Sequence, residues 1–209
     1  MVPAGVTGYL SVSGCYLLTG GAMACFSAGS LVVRTAAVDE LDLVLAILRA
    51  ASTARAGNGS PWGTEFPDIP GDVADGLAYL GLEGGLAVGT FVLRWSDAQV
   101  WGPDDGQCAY LHRLAVHPAA GGQGIGRRLV DTAGELAFRH GRRWLRLDCD
   151  RDNPRLRAYY EDQQFQHVRD VDGIPRQTRQ GTRAASLYQR PVILQVLAGL
   201  FQVLWPSEN

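Results

Sequence analysis

Lysine is absent: all 19 basic side chains among the 209 residues are arginine. That excludes Schiff-base chemistry on a lysine amine, and it reads as the codon bias of a GC-rich genome. Cysteine is sparse, at positions 15, 25, 108 and 149, with no CxxC spacing. A disulfide framework and a thiolate zinc site are excluded, and reduced thiols in a cytoplasmic protein are expected. The histidines at 112, 117, 140 and 167 lack metal-ligand spacing. Asp148-x-Asp150-x-Asp152 opens like a calcium loop but fails, with Asn153 at its sixth position and Tyr159 at its twelfth. No metal is expected. No Gly-x-Ser-x-Gly elbow occurs either. A net charge of only −2 gives no electrostatic case for nucleic acid. The apolar tail from Val192 to Trp205, interrupted by Gln195 and Gln202, is shorter than the roughly 20 residues that cross a bilayer. No basic residue follows it, so no membrane partner is expected.

What is present fits one globular domain with tails. Hydrophobic residues make up 46% of the chain, enough for a proper core. Residues 1–30 form an uncharged extension, expected to be poorly ordered, with Met23 a candidate natural start. Residues 31–190 form the domain. Residues 191–209 form the apolar tail, expected to dock on the core or on a second subunit of a homodimer. Charge is divided along the chain. Up to His112 there are 4 Arg against 11 Asp and Glu, whereas Arg113–Arg190 holds 15 Arg against 9. A basic second half suits a ligand with several phosphates, although most of these arginines read equally as solvated ion pairs.

The chain is organised around Ala109–Gly141. The apolar run Tyr110–Val116 predicts a strand, and His117-Pro118 ends it. Gly121-Gly122-Gln123-Gly124-Ile125-Gly126 then opens a helix whose apolar face is Ile125, Leu129, Val130, Ala133, Leu136 and Ala137. Gly141 stops that helix. A strand, a glycine turn and a helix start make an anion site, because backbone N–H groups converge on a partial positive charge. The dinucleotide fingerprint fails, since Arg127 stands where its third glycine belongs. The P-loop fails as well, since Arg127-Arg128 replaces Lys-Ser/Thr.

Around this centre the sequence predicts a strand at Leu31–Ala36. A helix capped by Asp39 follows, with an apolar face of Leu41, Val44, Leu45 and Leu48. Ala56–Pro61 reads as a loop that leads to Trp62, Glu65 and Phe66, residues that either meet an acceptor or cover a core edge. Leu77–Leu82 and Leu86–Trp95 read as a hairpin, and Asp97–Gln107 as a polar loop. Trp144–Cys149 is a strand. Asn153-Pro154 starts a helix that carries Leu156, Tyr159 and Tyr160. Phe165–Asp170 is a strand, Asp172–Gly181 a turn-rich loop, and Ala185–Arg190 the last strand.

From Leu31 to Arg190 this order resembles the GNAT superfamily of N-acetyltransferases. Arg113-Leu114-Ala115-Val116-His117-Pro118 is similar to that family's fourth strand, and Gly121–Gly126 to its Arg/Gln-x-x-Gly-x-Gly/Ala turn. Asn153 and Tyr160 match its Asn-x6-Tyr spacing, with Phe165 following. Two residues depart from the pattern. Gly121 stands where Arg or Gln is usual, and Gln164 where a helix-ending Gly is usual. If position 164 needs left-handed angles, Gln costs about 1–2 kcal/mol there.

The resemblance implies an α/β (α+β) fold: a mixed central sheet of about six to seven strands flanked by about four helices. It implies acetyl-CoA as co-substrate and an amine acceptor, on a small molecule or a peptide. The pantetheine arm would pair with Leu114, Ala115 and Val116. The pyrophosphate would lie on the amides of Gly122, Gln123, Gly124, Ile125, Gly126 and Arg127, with Asn153 a further contact. Tyr160 stands at the family's general-acid position and Tyr159 reads as core. The family often has a base Glu where Tyr110 stands, so the base is open. His112 can act directly or through water, or be packed, and Glu65 is a further candidate. A catalytically weak acyl-CoA-binding sensor and a nucleotide-binding regulator are the alternatives.

Overall fold

The structure is a computed structural model that describes residues 30–56, 65–175 and 181–192, together with the backbone of three short N-terminal strands. These strands, β1 (Gly8–Leu10), β2 (Cys15–Leu18) and β3 (Met23–Cys25), pair with one another in antiparallel fashion. Otherwise the expectations for the extension, for Trp62 and for the tail beyond Val192 lie outside the described residues. So does most of the loop expected at Ala56–Pro61.

Seven further strands form one mixed sheet. They are β4 (Val32–Thr35), β5 (Ala78–Glu83), β6 (Leu86–Arg94), β7 (Cys108–Val116), β8 (Trp144–Asp150), β9 (Gln166–Pro175) and β10 (Thr182–Pro191). Their order is β4-β5-β6-β7-β8-β10-β9. The helices are α1 (Leu41–Ala56), α2 (Ile69–Ala74), α3 (Ala98–Trp101), α4 (Ile125–Arg139) and α5 (Pro154–Glu161). The fold is the mixed α/β class expected, with five helices among the described residues where about four were expected. The short α2 and α3 lie where only prolines and a polar loop were legible. No helix among the described residues is long and apolar enough to cross a membrane.

By its internal contacts the chain divides into two compact units, residues 1–92 with 113–129, and residues 93–112 with 130–209. In the first, β4, β5 and β6 are antiparallel neighbours. The β5–β6 turn is Gly84-Gly85, with φ of +58° and +84°. Two positive φ values in a two-residue loop are what a type I′ hairpin needs. The core beside this sheet is Val44, Leu48, Ile69, Leu80, Val92 and their neighbours, so the apolar face expected of α1 is the buried one. Asp39 does not cap that helix. It lies inside a 3-10 turn, Val38–Glu40, that precedes the helix; there the Glu40 carboxylate accepts from Ala37 N at 2.9 Å while binding Arg34. Two glycines sit in close packing. A Cβ on Gly89 would lie 2.7 Å from Leu129 Cδ1 and 3.0 Å from Ala115 O, and one on Gly81 2.8 Å from Leu129 Cδ2.

In the second unit β7 runs parallel to β8 over Cys108–Tyr110, and β10 lies antiparallel to β8 and β9. Strand β9 continues to Pro175, so part of the segment expected as a loop is strand instead. Trp101, Cys108, Tyr110, Ile174, Ala185 and Leu187 form the core here. The two long-range helix ends share one solution. After α4, Arg142 N bonds Ala137 O and Gly141 N bonds Phe138 O, with Gly141 at φ +71°. After α5, Phe165 N bonds Tyr160 O and Gln164 N bonds Glu161 O, with Gln164 at φ +66°. Both are Schellman ends, and the second places glutamine in the left-handed region that the sequence had marked for glycine. The buried Arg190 guanidinium braces that end, donating to Gln163 O at 3.1 Å and Val130 O at 3.0 Å and stacking on Phe165.

Candidate active site

The residues singled out from the sequence fall in both units. Those of the first unit form a continuous strand–turn–helix. Leu114 and Val116 are half-buried and Ala115 is buried on β7. His117 leaves the strand, donating its amide to Val88 O at 2.8 Å, and its Nδ1 accepts from Ala119 N at 3.3 Å. Burial lowers the pKa of His117, which keeps that nitrogen an acceptor. Pro118 then starts one 3-10 turn that delivers the chain to Gly121.

Gly121, Gly122, Gln123 and Gly124 are exposed. Gly122 and Gly124 adopt φ of +77° and +71°, and a Cβ on either would have nothing within 4 Å. The first bond that closes α4 is Arg128 N to Gly124 O, 3.2 Å. The amides that precede Arg128 belong to the set a helix leaves without an intrahelical partner. They stand at the positive end of a 15-residue helix. A pyrophosphate fits such a cradle, since only glycine supplies these angles without a side chain in the way. Gly121, the departure from the usual pattern, has a local cause: a Cβ there would stand 3.0 Å from Pro118 O. Of the two arginines that follow, Arg128 turns to the buried Glu83 at 3.3 Å, while Arg127 is exposed.

Arg113 has φ +53° within β7, an uncommon conformation for a long side chain. Its guanidinium grips Asp68 with two bonds, at 2.9 and 3.2 Å, and lies over the Phe66 ring. Phe66 is a core residue, as the edge-covering reading had it, and Glu65 is exposed.

In the second unit Asn153 caps α5, its side chain accepting from Leu156 N at 3.0 Å. Its amide NH2 group is left to donate to a ligand. Tyr160 is buried, edge-on to Phe165 at 5.7 Å and to Tyr159 at 5.3 Å. Tyr159 is the exposed member of the pair, so its expected core role is corrected. Helical rotation turns adjacent residues about 100° apart, and both had qualified as core on composition alone. Tyr110, at the position where a base Glu was expected by resemblance, is fully buried beside Trp101. Desolvation pushes its phenol up to about 12, so it carries no base function near neutrality.

His112 is half-buried on β7. Its Nε2 lies 3.5 Å from Asp97 Oδ2, with the two side chains 17% and 10% exposed. Asp148 is adjacent: one donor atom from each of Asp97, His112 and Asp148 lies within 4.8 Å of the others. Arg183 already sits on Asp148 at 2.5 Å, so we assign no metal. Asp97 was not singled out in the sequence. Its only local signal is an acidic residue before the short apolar run Ala98–Trp101, which reads as a helix cap and says nothing of His112.

Residues 46–165 match the acetyltransferase (GNAT) family. An uncharacterized N-acetyltransferase of Bacillus subtilis, YesJ, is 31% identical over 126 residues, covering 54% of this chain and 69% of its own. Among solved structures, a GNAT-family acetyltransferase from Listeria monocytogenes superposes with a TM-score of 0.61 at 20% identity, over 79% of this chain and 96% of the other. The acetyltransferase yncA from Salmonella typhimurium, solved with acetyl-CoA, has a TM-score of 0.58 at 17% identity, over 78% and 95%.

Proposed function

The chain belongs to the acetyltransferase (GNAT) family, and from that premise we propose that it moves an acetyl group from acetyl-CoA to a primary amine of a small molecule or peptide, by direct attack on the thioester. The observation that carries this reading is the exposed turn after β7, where Gly122 and Gly124 hold left-handed angles just before the N-terminus of α4, an arrangement suited to an anion. Its fold relative from Salmonella typhimurium was solved with acetyl-CoA, the ligand such a cradle would suit.

Each residue then has a task. The amides from Gly122 to Arg127 hold the pyrophosphate by hydrogen bonds that no side chain supplies. Arg127, exposed at the helix start, reaches a phosphate, whereas Arg128 stays with Glu83. Leu114, Ala115 and Val116 offer strand backbone to the pantetheine arm. Acetyl-CoA, when bound, supplies an activated carbonyl and a thiolate leaving group. Tyr160 gives its phenolic proton to that leaving group, and His112 takes a proton from the attacking amine. The proton held on His112 returns through solvent to Tyr160, so both groups end as they began. Asn153 fixes the start of α5, two turns before Tyr160, and adds an amide donor.

The test is thiol release from acetyl-CoA with a panel of primary amines, for wild type and Tyr160→Phe. An enzyme loses turnover in the variant and keeps its CoA affinity. A wild type that binds acetyl-CoA and releases no thiol with any amine contradicts transfer and leaves a binding module.

A further inference from the structure

Asp97 occupies the position from which an aspartate usually caps a helix. Its backbone carbonyl does accept from Val100 N and Trp101 N, at 3.2 and 2.9 Å, as the start of α3 requires. Its carboxylate makes no cap bond. A capping carboxylate ordinarily bonds the second or third helical amide; here it is turned away, nine-tenths buried, with Oδ2 facing His112 Nε2. Burying a carboxylate without using it locally needs a compensating partner.

The groups around the pair show which partner it has. On β8, Asp148 is close enough to compete for His112, but Arg183 of β10 engages it at 2.5 Å. Arg94, at the end of β6, also acts electrostatically on Asp97. Tyr110, two residues back on the same strand, is sealed in the apolar core. Asp97 is therefore the acidic group left to His112. Burial raises the pKa of the Asp97 carboxyl, His112 pulls it back down, Asp148 raises it and Arg94 lowers it. The histidine ring is the largest favourable influence on that charge.

We propose that Asp97 is the positioning residue of an Asp97–His112 dyad, fixing His112 as the Nε2–H tautomer so that the Nδ1 lone pair receives the amine proton. The proposal rests on the acetyltransferase reading above. A neutral imidazole carries one proton on its ring nitrogens. With Nε2–H donated to the carboxylate, Nδ1 is the basic atom. When it takes the proton, both nitrogens become donors, and the positive ring stays against a carboxylate already in place. The orienting carboxylate supplies geometry and charge, and it does not itself need to become protonated.

Two readouts test the dyad. The first is heteronuclear NMR of the imidazoles, with His112 assigned by its loss in His112→Gln. The dyad predicts an Nε2–H neutral form in the wild type. In Asp97→Asn the His112 titration midpoint falls by about one pH unit or more, because an opposite charge within contact distance is lost. The second is kcat/KM against pH. Its acidic limb should move to lower pH in step with that midpoint, with kcat down about 10- to 100-fold, acetyl-CoA affinity unchanged, and partial rescue in Asp97→Glu. An Nδ1–H tautomer overturns the proposal. So does a midpoint that Asp97→Asn leaves in place, or a loss of activity equal at all pH values. If the wild type binds acetyl-CoA and acetylates no amine, the underlying reading has failed. The dyad then falls with it as a catalytic device, a result distinct from an active enzyme indifferent to Asp97.

Discussion

The turn between β7 and α4 and the side chains of Tyr160 and His112 are built on opposite principles. The turn relies on backbone: Gly122 and Gly124 contribute by having no side chain, and the binding groups are amides that any sequence possesses. The second relies on side chains, namely a phenol edge-on to two aromatic rings and an imidazole whose Nε2 lies 3.5 Å from a buried carboxylate oxygen. The first needs a particular conformation and the second particular atoms. Changes in the two regions should therefore fail in different ways.

The largest effect is expected in the second region. Tyr160→Phe should cost about 10²- to 10³-fold in turnover while leaving acetyl-CoA affinity within about twofold. Steady-state kinetics beside calorimetry reads both. In the first region Gly124→Val should do the reverse. A β-branched residue at φ +71° is strained and its side chain blocks the cradle, so acetyl-CoA affinity should fall about 100-fold. Gly89→Ala sharpens the contrast, since its Cβ would strike Leu129 and Ala115 rather than a ligand. A loss of about 2 kcal/mol is expected from such overpacking. In a chain of this size that lowers the melting temperature by about 4–8 °C.

Smaller effects test local structure away from both regions. Glu40, bound to Arg34 and Ala37 N, has its pKa held below the ordinary 4.5 by that hydrogen bonding. A carboxylate with a depressed folded pKa stabilises fully above its unfolded pKa, and the contribution fades as pH falls through the folded value. Glu40→Gln should therefore be about 1 kcal/mol less stable at neutral pH, and the gap should close in acid. Gln164→Gly should stabilise by about 0.5–1 kcal/mol, relieving a left-handed glutamine at the cost of a looser unfolded chain.

How much was legible follows from the same contrast. The glycine turn could be read because glycine in a β-turn-α setting records a backbone requirement in the sequence itself. The hairpin glycines and Gly141 were legible for that reason too, and Gln164 as an exception to it. Tyr160 stands out from Tyr159 by its family spacing from Asn153, but which of the two rings is buried depends on helix rotation, and the structure exposes Tyr159. Asp97 could not be found. It meets His112 because β6, α3 and β7 bring residues 97 and 112 together, and no local pattern encodes that pairing. Likewise Arg113–Asp68 joins residues 45 apart. Short helices such as α2 and α3 were missed because one turn carries too little periodicity to distinguish it from a loop.

The most direct measurement is isothermal titration of the protein with acetyl-CoA, CoA and ATP in separate runs. Saturable binding of acetyl-CoA and CoA, with none of ATP, is the expected result for a backbone cradle that serves an acetyltransferase. No binding of either CoA species at millimolar concentration, or binding of ATP alone, would contradict it.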